Sequence, residues 1–127
     1  MNADQTPEQP SVEQQLQQLD ESLALSRVGG DVDLLREVIE LFLDDYPNSL
    51  KNIRNAVSAK DATSIEHEAH TLKGSVSTFG ARRAFEAALA LEKLGRSKDL
   101  TGVEEGFSQL EDALHALVPE LQIIQAR

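Results

Sequence analysis

Apolar residues recur at intervals of three and four along most of this chain, which is the spacing of one face of an α-helix. Positions from Val12 to Leu23 follow this spacing and predict a first helix, which Gly29 and Gly30 end. Asp31 then stands where a side chain caps the start of a second helix. The apolar face of this second helix comprises Leu35, Val38, Ile39, Phe42 and Tyr46.

The apolar stripe continues beyond Pro47 to Lys60, but proline has no backbone N–H, so the sequence predicts a break or kink after Tyr46. Asp61 is the predicted cap of a third helix, and Gly80 fits the C′ position that ends it. The apolar positions of the third helix are Ala62, Ile65, Ala69, Leu72, Val76 and Phe79.

Two further helices complete the pattern. The fourth is predicted from about Ala81 to Leu94, with Gly95 ending it. The fifth is opened by the capping-box pattern Thr101-Gly-Val-Glu104, and Pro119 is expected to bend or restart it. There is no strand pattern and no internal repeat. Four amphipathic helices with short connections predict an all-α fold, an antiparallel four-helix bundle with an additional N-terminal helix.

Composition indicates a single domain and disfavours some classes of partner. Residues 1–11 are rich in Gln and Pro and are predicted to be a disordered tail, while residues 12–127 form one bundle domain. There is no cysteine, hence no disulfide and no thiolate chemistry. A net charge of −10 disfavours nucleic acid and anionic membranes as partners. No apolar run is long enough to span a bilayer, and the N-terminus lacks a signal-peptide core, so we expect a cytoplasmic protein.

His70 is the candidate chemical group. It lies about 130° around the third helix from the centre of the apolar face, and is therefore predicted to be exposed. Lys73 and Gly74, three and four residues on, lie on the same side of the helix. A neutral imidazole is a good nucleophile near neutral pH, and Lys73 would offset the charge of an anion carried on it. Gly74, having no side chain, would admit a bulky partner, and Ser75 and Ser77 are also small.

The sequence has no recognisable nucleotide-binding motif, because it has neither a Walker loop nor a kinase Gly-rich signature. His67 and His70 are three residues apart, but no third ligand is evident, so we predict no metal site. His67 is instead expected at the edge of the surface that a partner would contact, and His115 is expected at a helix surface.

The run His70-Thr-Leu-Lys73-Gly74 with Gly80 resembles the histidine-containing phosphotransfer (HPt) domain family, and the likeness extends more loosely from about Leu25 to about Leu121. The resemblance implies that His70 accepts a phosphoryl group, through Nε2, from a receiver-domain aspartate and passes it to another receiver. It implies response-regulator receivers or a sensor histidine kinase as partners, with Mg²⁺ brought by the partner and no cofactor of the chain's own.

The resemblance also supplies supporting roles. Some family members carry a Glu or Gln on the next helix that hydrogen-bonds the imidazole, and that position here is Glu92; the alternative is a solvated helix glutamate. Lys73, Gly74 and Ser77 would support the chemistry. The partner would contact His67, Gly74, Ser75 and Ser77, and the protein would act as a monomer.

Two alternative functions stay open. One is a module excised from a hybrid or chemotaxis-type sensor kinase, and the other is a non-catalytic helical adaptor in which His70 is incidental. A histidine-kinase dimerisation domain is disfavoured, because Thr71 follows the histidine where such domains commonly have an acidic residue. The proline expected a few positions later is also absent, since none lies between Pro47 and Pro119.

Overall fold

The computed structural model describes residues 17–127, and their secondary structure is entirely helical apart from turns and short connections. The helices are α1 (Glu21–Arg27), α2 (Val32–Ser58), α3 (Ala62–Ser77), α4 (Arg82–Ser97) and α5 (Val103–Gln125). Helices α2 to α5 pack in sequence order, α5 closes the ring against α2, and α1 packs on α2. The all-α prediction, a four-helix bundle with an additional N-terminal helix, is confirmed over the described residues.

The core between the four long helices is aliphatic, as the stripes predict. Phe42 and Phe79 provide an aromatic contact within it, with ring centroids 5.3 Å apart in an edge-to-face arrangement. Burial of these apolar faces is the main favourable term in the stability of such a bundle. The largest fully buried side chains are Leu35, Ile39, Ile53, Ile65, Val76, Phe79, Leu91, Leu110, Leu114, Leu117 and Leu121.

The predicted start of α2 and both predicted ends of α3 are confirmed. The Asp31 carboxylate accepts a hydrogen bond from the Leu34 N–H, and Asp61 accepts one from the Ser64 N–H. At the far end of α3, Gly80 has φ +61°, and its N–H donates to the Ser77 carbonyl. This is the left-handed C′ geometry that glycine adopts with least strain.

Neither internal proline interrupts its helix: of the break or kink predicted after Tyr46 the break does not occur, and of the bend or restart predicted at Pro119 the restart does not occur. α2 runs through Pro47 to Ser58, and α5 runs through Pro119 to Gln125. Each proline removes one hydrogen bond, a cost of about 3 kcal/mol. Burial of the apolar stripe on both sides of each proline offsets that cost.

The first helix is shorter than predicted. Within the described residues, 17–20 are not helical and α1 begins at Glu21. The Asp20 side chain caps α1, and a tertiary contact holds the residues before it, because the Gln18 and Leu19 N–H groups donate to the carboxylate of Glu120 on α5. The predicted stretch from Val12 and the predicted tail at residues 1–11 lie outside the described residues.

The helix end predicted at Gly95 and the capping box predicted at Thr101 are also wrong. α4 continues past Gly95 to Ser97 and ends at Lys98, which adopts φ +64°. α5 is preceded by Gly102 with no side-chain cap, because the Thr101 hydroxyl donates to Asp99 instead. Among the helices of residues 17–127, none is long and apolar enough to cross a membrane.

Candidate functional site

His70 lies on the outer surface of α3, with its side chain 65% exposed. Its neighbours Ala69 and Leu72 are buried against the bundle, which fixes the rotation of the helix and turns the imidazole outward. The exposure expected from the helical period is therefore what the structure has. Nδ1 is directed back towards α4, where it lies 2.9 Å from the carboxylate of Glu92.

Glu92 is a buried carboxylate, not a solvated one. Its side chain is only 4% exposed, and its two oxygens have different partners. Oε2 lies 2.9 Å from His70 Nδ1, while Oε1 lies 2.7 Å from Lys73 Nζ. A buried carboxylate needs partners of this kind, because burying an unpaired charge is costly. Glu92 thus joins the imidazole and the ammonium group through one carboxylate.

The sequence predicted that Lys73 would lie beside a phosphoryl group on His70, but in the structure it pairs with Glu92. Its Nζ pairs with Glu92 Oε1 and lies 5.9 Å from the centre of the Phe85 ring, and its side chain is 20% exposed. In this structure its charge balances the buried carboxylate. Its expected role beside a phosphoryl group on His70 stays a prediction.

Arg96 belongs to the site and was missed from the sequence. Its Nη2 donates to Glu92 Oε2 at 2.6 Å, and its Nε donates to Glu66 Oε2 at 3.0 Å. The available signal was the i,i+4 spacing of Glu92 and Arg96, which places the two side chains on one face of a helix. Exposed pairs with this spacing are common, and only the burial of Glu92 distinguishes this one.

The pKa of Glu92 falls from an ordinary 4.5 to about 2, chiefly because the Lys73 ammonium group, 2.7 Å from Oε1, favours the charged form. Burial opposes this by favouring the neutral acid, and the His70 hydrogen bond adds to the lowering. Glu92 is therefore an anion at neutral pH and only accepts hydrogen bonds. Nδ1 must then carry the proton of the His70–Glu92 bond, so in the neutral imidazole the available lone pair is on Nε2. The site presents an oriented nitrogen nucleophile to solvent.

This lowered pKa predicts how stability changes in acid. Since the folded pKa lies below the ordinary value, ionised Glu92 stabilises the fold above about pH 4.5, and this contribution is lost as the pH falls through about 2. We expect Glu92→Gln to be less stable than the wild type near neutral pH and the difference to shrink through that window. Urea unfolding at a series of pH values measures it. Glu86→Gln removes an exposed carboxylate from the same helix as a control, and a Glu92→Gln deficit that did not change with pH would contradict the assignment.

The remaining predicted residues surround His70 on the outer side of α3. Gly74 is exposed, and a Cβ built on it would meet nothing within 4 Å. The Ser75 hydroxyl donates to the Thr71 carbonyl, and the Ser77 hydroxyl donates to the Gly74 carbonyl. Both serines therefore direct their hydroxyl groups back to the helix backbone, which leaves a low, open surface beside the imidazole.

The other histidines lie at the surface. His67 is exposed on α3 and His115 is exposed on α5, as the sequence predicted for each. Within residues 17–127 no group of three or more His, Asp or Glu side chains is placed to hold a metal ion.

A groove between α2 and α3 opens beside this surface, and we call it the α2–α3 groove. Leu41, the most exposed large apolar residue described, lines it at 63% exposure. Asp45 and Tyr46 continue the α2 wall, and Leu72 and Ser75 belong to the α3 wall. Ser75 belongs both to this groove and to the partner-binding residues predicted from the sequence, so the groove adjoins that predicted surface.

Comparison with known proteins places the chain in a family. Residues 37–119 match the family model of the Hpt domain, and the chain belongs to that family. It is 27% identical over 96 residues to histidine-containing phosphotransfer protein 2 of Arabidopsis thaliana, a match that covers 73% of this chain and 62% of that relative's length.

Two solved structures share the fold. Histidine-containing phosphotransfer protein B (HptB) from Pseudomonas aeruginosa PAO1 matches with a TM-score of 0.79 at 24% identity. The HPT domain of a sensor hybrid histidine kinase from Shewanella matches with a TM-score of 0.77 at 19% identity. Each match covers 87% of this chain and 96% of the other.

Proposed function

We propose that this protein is a phosphorelay intermediate, which accepts a phosphoryl group on His70 Nε2 from a receiver-domain aspartyl phosphate and passes it to another receiver. Membership of the Hpt family makes histidine phosphotransfer the function of the chain. The observation that supports His70 as the acceptor is the pairing of its Nδ1 with ionised Glu92 on an exposed imidazole, which makes Nε2 the nucleophilic nitrogen of the neutral ring.

The proposed step is a simple displacement at phosphorus. The Nε2 lone pair forms the N–P bond while the P–O bond to the donor aspartate breaks, and the aspartate leaves as a carboxylate with the bonding pair. The ring gains positive charge in this step, and the Nδ1 proton stays hydrogen-bonded to Glu92, whose negative charge offsets it. Transfer to the next receiver is the same step in reverse.

We propose that the partner supplies the Mg²⁺ for this transfer. Phosphoryl transfer relies on positioning and on cations that neutralise the equatorial oxygens. The described part of this chain offers a nucleophile and nearby cations but no cluster of carboxylates for a metal. This set of groups supports an active site formed by two proteins, with the nucleophile on this chain and the metal on the receiver or on a sensor histidine kinase.

We also propose that the protein works as a monomer in the cytoplasm. The bundle buries its own core within one chain, with the large aliphatic residues of α2 to α5 already enclosed. A chain without cysteine is compatible with a reducing compartment.

The docking face of the proposal comprises His67, Gly74, Ser75 and Ser77, and the α2–α3 groove adjoins it. Gly74→Gln is expected to slow transfer by about tenfold or more, because a side chain one turn from His70 would hold the partner's phosphoryl group out of attacking distance. The fold should be unharmed, since the space is open and replacing a helical glycine removes a cost of about 1 kcal/mol.

Transfer rates and thermal unfolding of Gly74→Gln measure both effects. Gly74→Ala is the size control and should transfer at close to the wild-type rate. Equal rates for the glutamine variant and the wild type would show that the partner does not approach over this turn.

The proposed function is tested with a panel of purified receiver domains, each phosphorylated with radiolabelled acetyl phosphate and Mg²⁺. We expect label to move from at least one receiver to this protein, to be acid-labile and base-stable, and to move on to a second receiver. Binding of receivers without any transfer of label would contradict the proposal and favour the adaptor alternative.

A further inference from the structure

A cluster of alternating charges extends from the surface of α3 to the buried end of the His70–Glu92 bond. Arg96 bridges its two carboxylates, with Nε 3.0 Å from Glu66 Oε2 and Nη2 2.6 Å from Glu92 Oε2. The oxygen that Arg96 binds on Glu92 is the same Oε2 that His70 Nδ1 binds. The guanidinium and the imidazole therefore share one acceptor atom.

The backbone holds this bridge in place. Gly95 packs so closely against α3 that a Cβ there would lie 2.6 Å from the Glu66 backbone nitrogen. Glu66 is one turn before His70 on α3, and Arg96 is one turn after Glu92 on α4. This close approach at Gly95 places Arg96 between the two carboxylates, with its own side chain 57% exposed.

We infer that Arg96 is a positioning residue for phosphotransfer, which holds Glu92 Oε2 towards His70 and keeps Nε2 in its unprotonated, nucleophilic form. The inference rests on the proposed transfer through His70. A carboxylate beside an imidazole favours a second proton on the ring, and that proton would occupy Nε2 and remove the nucleophile. The positive charge of Arg96, on the same oxygen, opposes that protonation while leaving the Nδ1 hydrogen bond intact.

The charged groups around the ring come from each element packed against α3. Glu66 and Lys73 lie on α3 itself, and Glu92 and Arg96 lie on α4. From α2, Asp45 lines the groove on the other side of α3. From α1, Arg27 reaches α3 nearly two turns away, where its Nη1 donates to the Ser77 carbonyl. α5 does not pack against α3.

Of the cations in this set, Lys73 and Arg96 pair with Glu92 within the described residues, each with a different oxygen. Lys73 binds Oε1, so Arg96 alone of the two acts on the oxygen that His70 uses. Without Arg96, Oε2 would therefore pair only with the imidazole. Lys73 would still pair with Oε1 and balance the buried charge of Glu92.

The test compares four variants with the wild type in reaction with phosphoramidate, a small donor that needs no receiver. In that reaction Nε2 forms the N–P bond, the donor P–N bond breaks, and ammonia leaves. The rate of phosphohistidine formation is measured against pH, and nitrogen NMR of the unphosphorylated protein reports which ring nitrogens are protonated.

Arg96→Gln is expected to move the rate profile upward by about half a pH unit, which lowers the rate by about threefold on the acid side of the profile and by less near neutral pH. The ring spectrum should move towards the doubly protonated form at the same pH. Glu66→Gln should move the profile the other way, because it removes an anion and leaves Arg96 bound to Glu92 alone. Arg96→Lys, which keeps the charge, should restore most of the wild-type profile.

Lys93→Gln is the matched control. It removes the same charge from the same helix, but Lys93 is exposed and makes no ion pair in the described structure, so its profile should equal that of the wild type. An unchanged profile and ring spectrum for Arg96→Gln would overturn the inference. So would a rate loss that is equal at every pH with an unchanged spectrum, since that pattern indicates a structural role only.

The test of Arg96 and the test of the proposed relay function can fail independently of each other. If the wild type took no label from any receiver but Arg96→Gln still shifted the ring spectrum and the phosphoramidate profile, the relay function would fail and the role of Arg96 at His70 would stand.

Discussion

Replacing His70 with glutamine is expected to abolish phosphoryl uptake from a labelled receiver, a loss of more than about a thousandfold. Glutamine fills a similar volume and still offers an N–H to Glu92, but it has no nucleophilic nitrogen. Label transfer followed by gel autoradiography measures the effect. The fold should persist, because the side chain is 65% exposed and substitutions at such positions usually change stability by about 0.5 kcal/mol or less.

His67→Gln and His115→Gln are the matched controls, since both remove an exposed histidine from a helix of the same bundle. They should take up label as the wild type does. Uptake by His70→Gln, or its loss in His67→Gln, would show that the phosphoacceptor has been misassigned.

The second large effect concerns the packing of α4 on α3 at Gly95. Gly95→Ala is expected to destabilise the protein by about 1–3 kcal/mol, because the new Cβ would lie 2.7 Å or less from the Ala62 carbonyl oxygen and the Glu66 nitrogen. These contacts are with backbone atoms, so no side chain can move aside and the helices must separate. Phosphoryl transfer should fall as well, because the Glu66–Arg96 bridge lies at the same contact.

Gly74→Ala is the internal comparison for this prediction. Both glycines are in helices, so both substitutions bring the same gain in helix propensity, but only Gly95 lies against a neighbouring backbone. Urea unfolding should show Gly74→Ala to be as stable as the wild type or more so. If Gly95→Ala were equally stable, the close approach of α3 and α4 would not exist.

The sequence was most informative where local chemistry decides the structure. The apolar stripes, the caps at Asp31 and Asp61 and the left-handed turn at Gly80 depend on residues within a few positions of one another. The exposure of His70 follows from the same helical period, because Ala69 and Leu72 occupy the buried side. For this reason the fold class and the outward position of the histidine were predictable from the sequence alone.

Tertiary packing decided the features that the sequence did not reveal. Gly95 has the appearance of a helix end, but it lies inside α4 because a second helix presses against it. Pro47 and Pro119 have the appearance of helix breaks, but buried faces on both sides hold each helix together. In each case the deciding partner is distant in sequence, beyond the reach of local propensity.

The candidate site likewise depends on tertiary contacts that the local sequence does not reveal. The family resemblance pointed to Glu92, but its burial and the division of its two oxygens among three partners are properties of the packed helix pair. Arg96 carried no motif, and Lys73 was expected beside the phosphoryl group. Side-chain directions across the α3–α4 contact account for both outcomes.

The position of the phosphoryl group on the ring tests the central claim most directly. After transfer from a receiver to the nitrogen-labelled protein, NMR of the phosphorus–nitrogen coupling identifies the bonded atom. Because Nδ1 is held by Glu92, we expect phosphorus bonded to Nε2 of His70, with the proton still on Nδ1. Phosphorus bonded to Nδ1, or to an oxygen of another side chain, would contradict the account of this site.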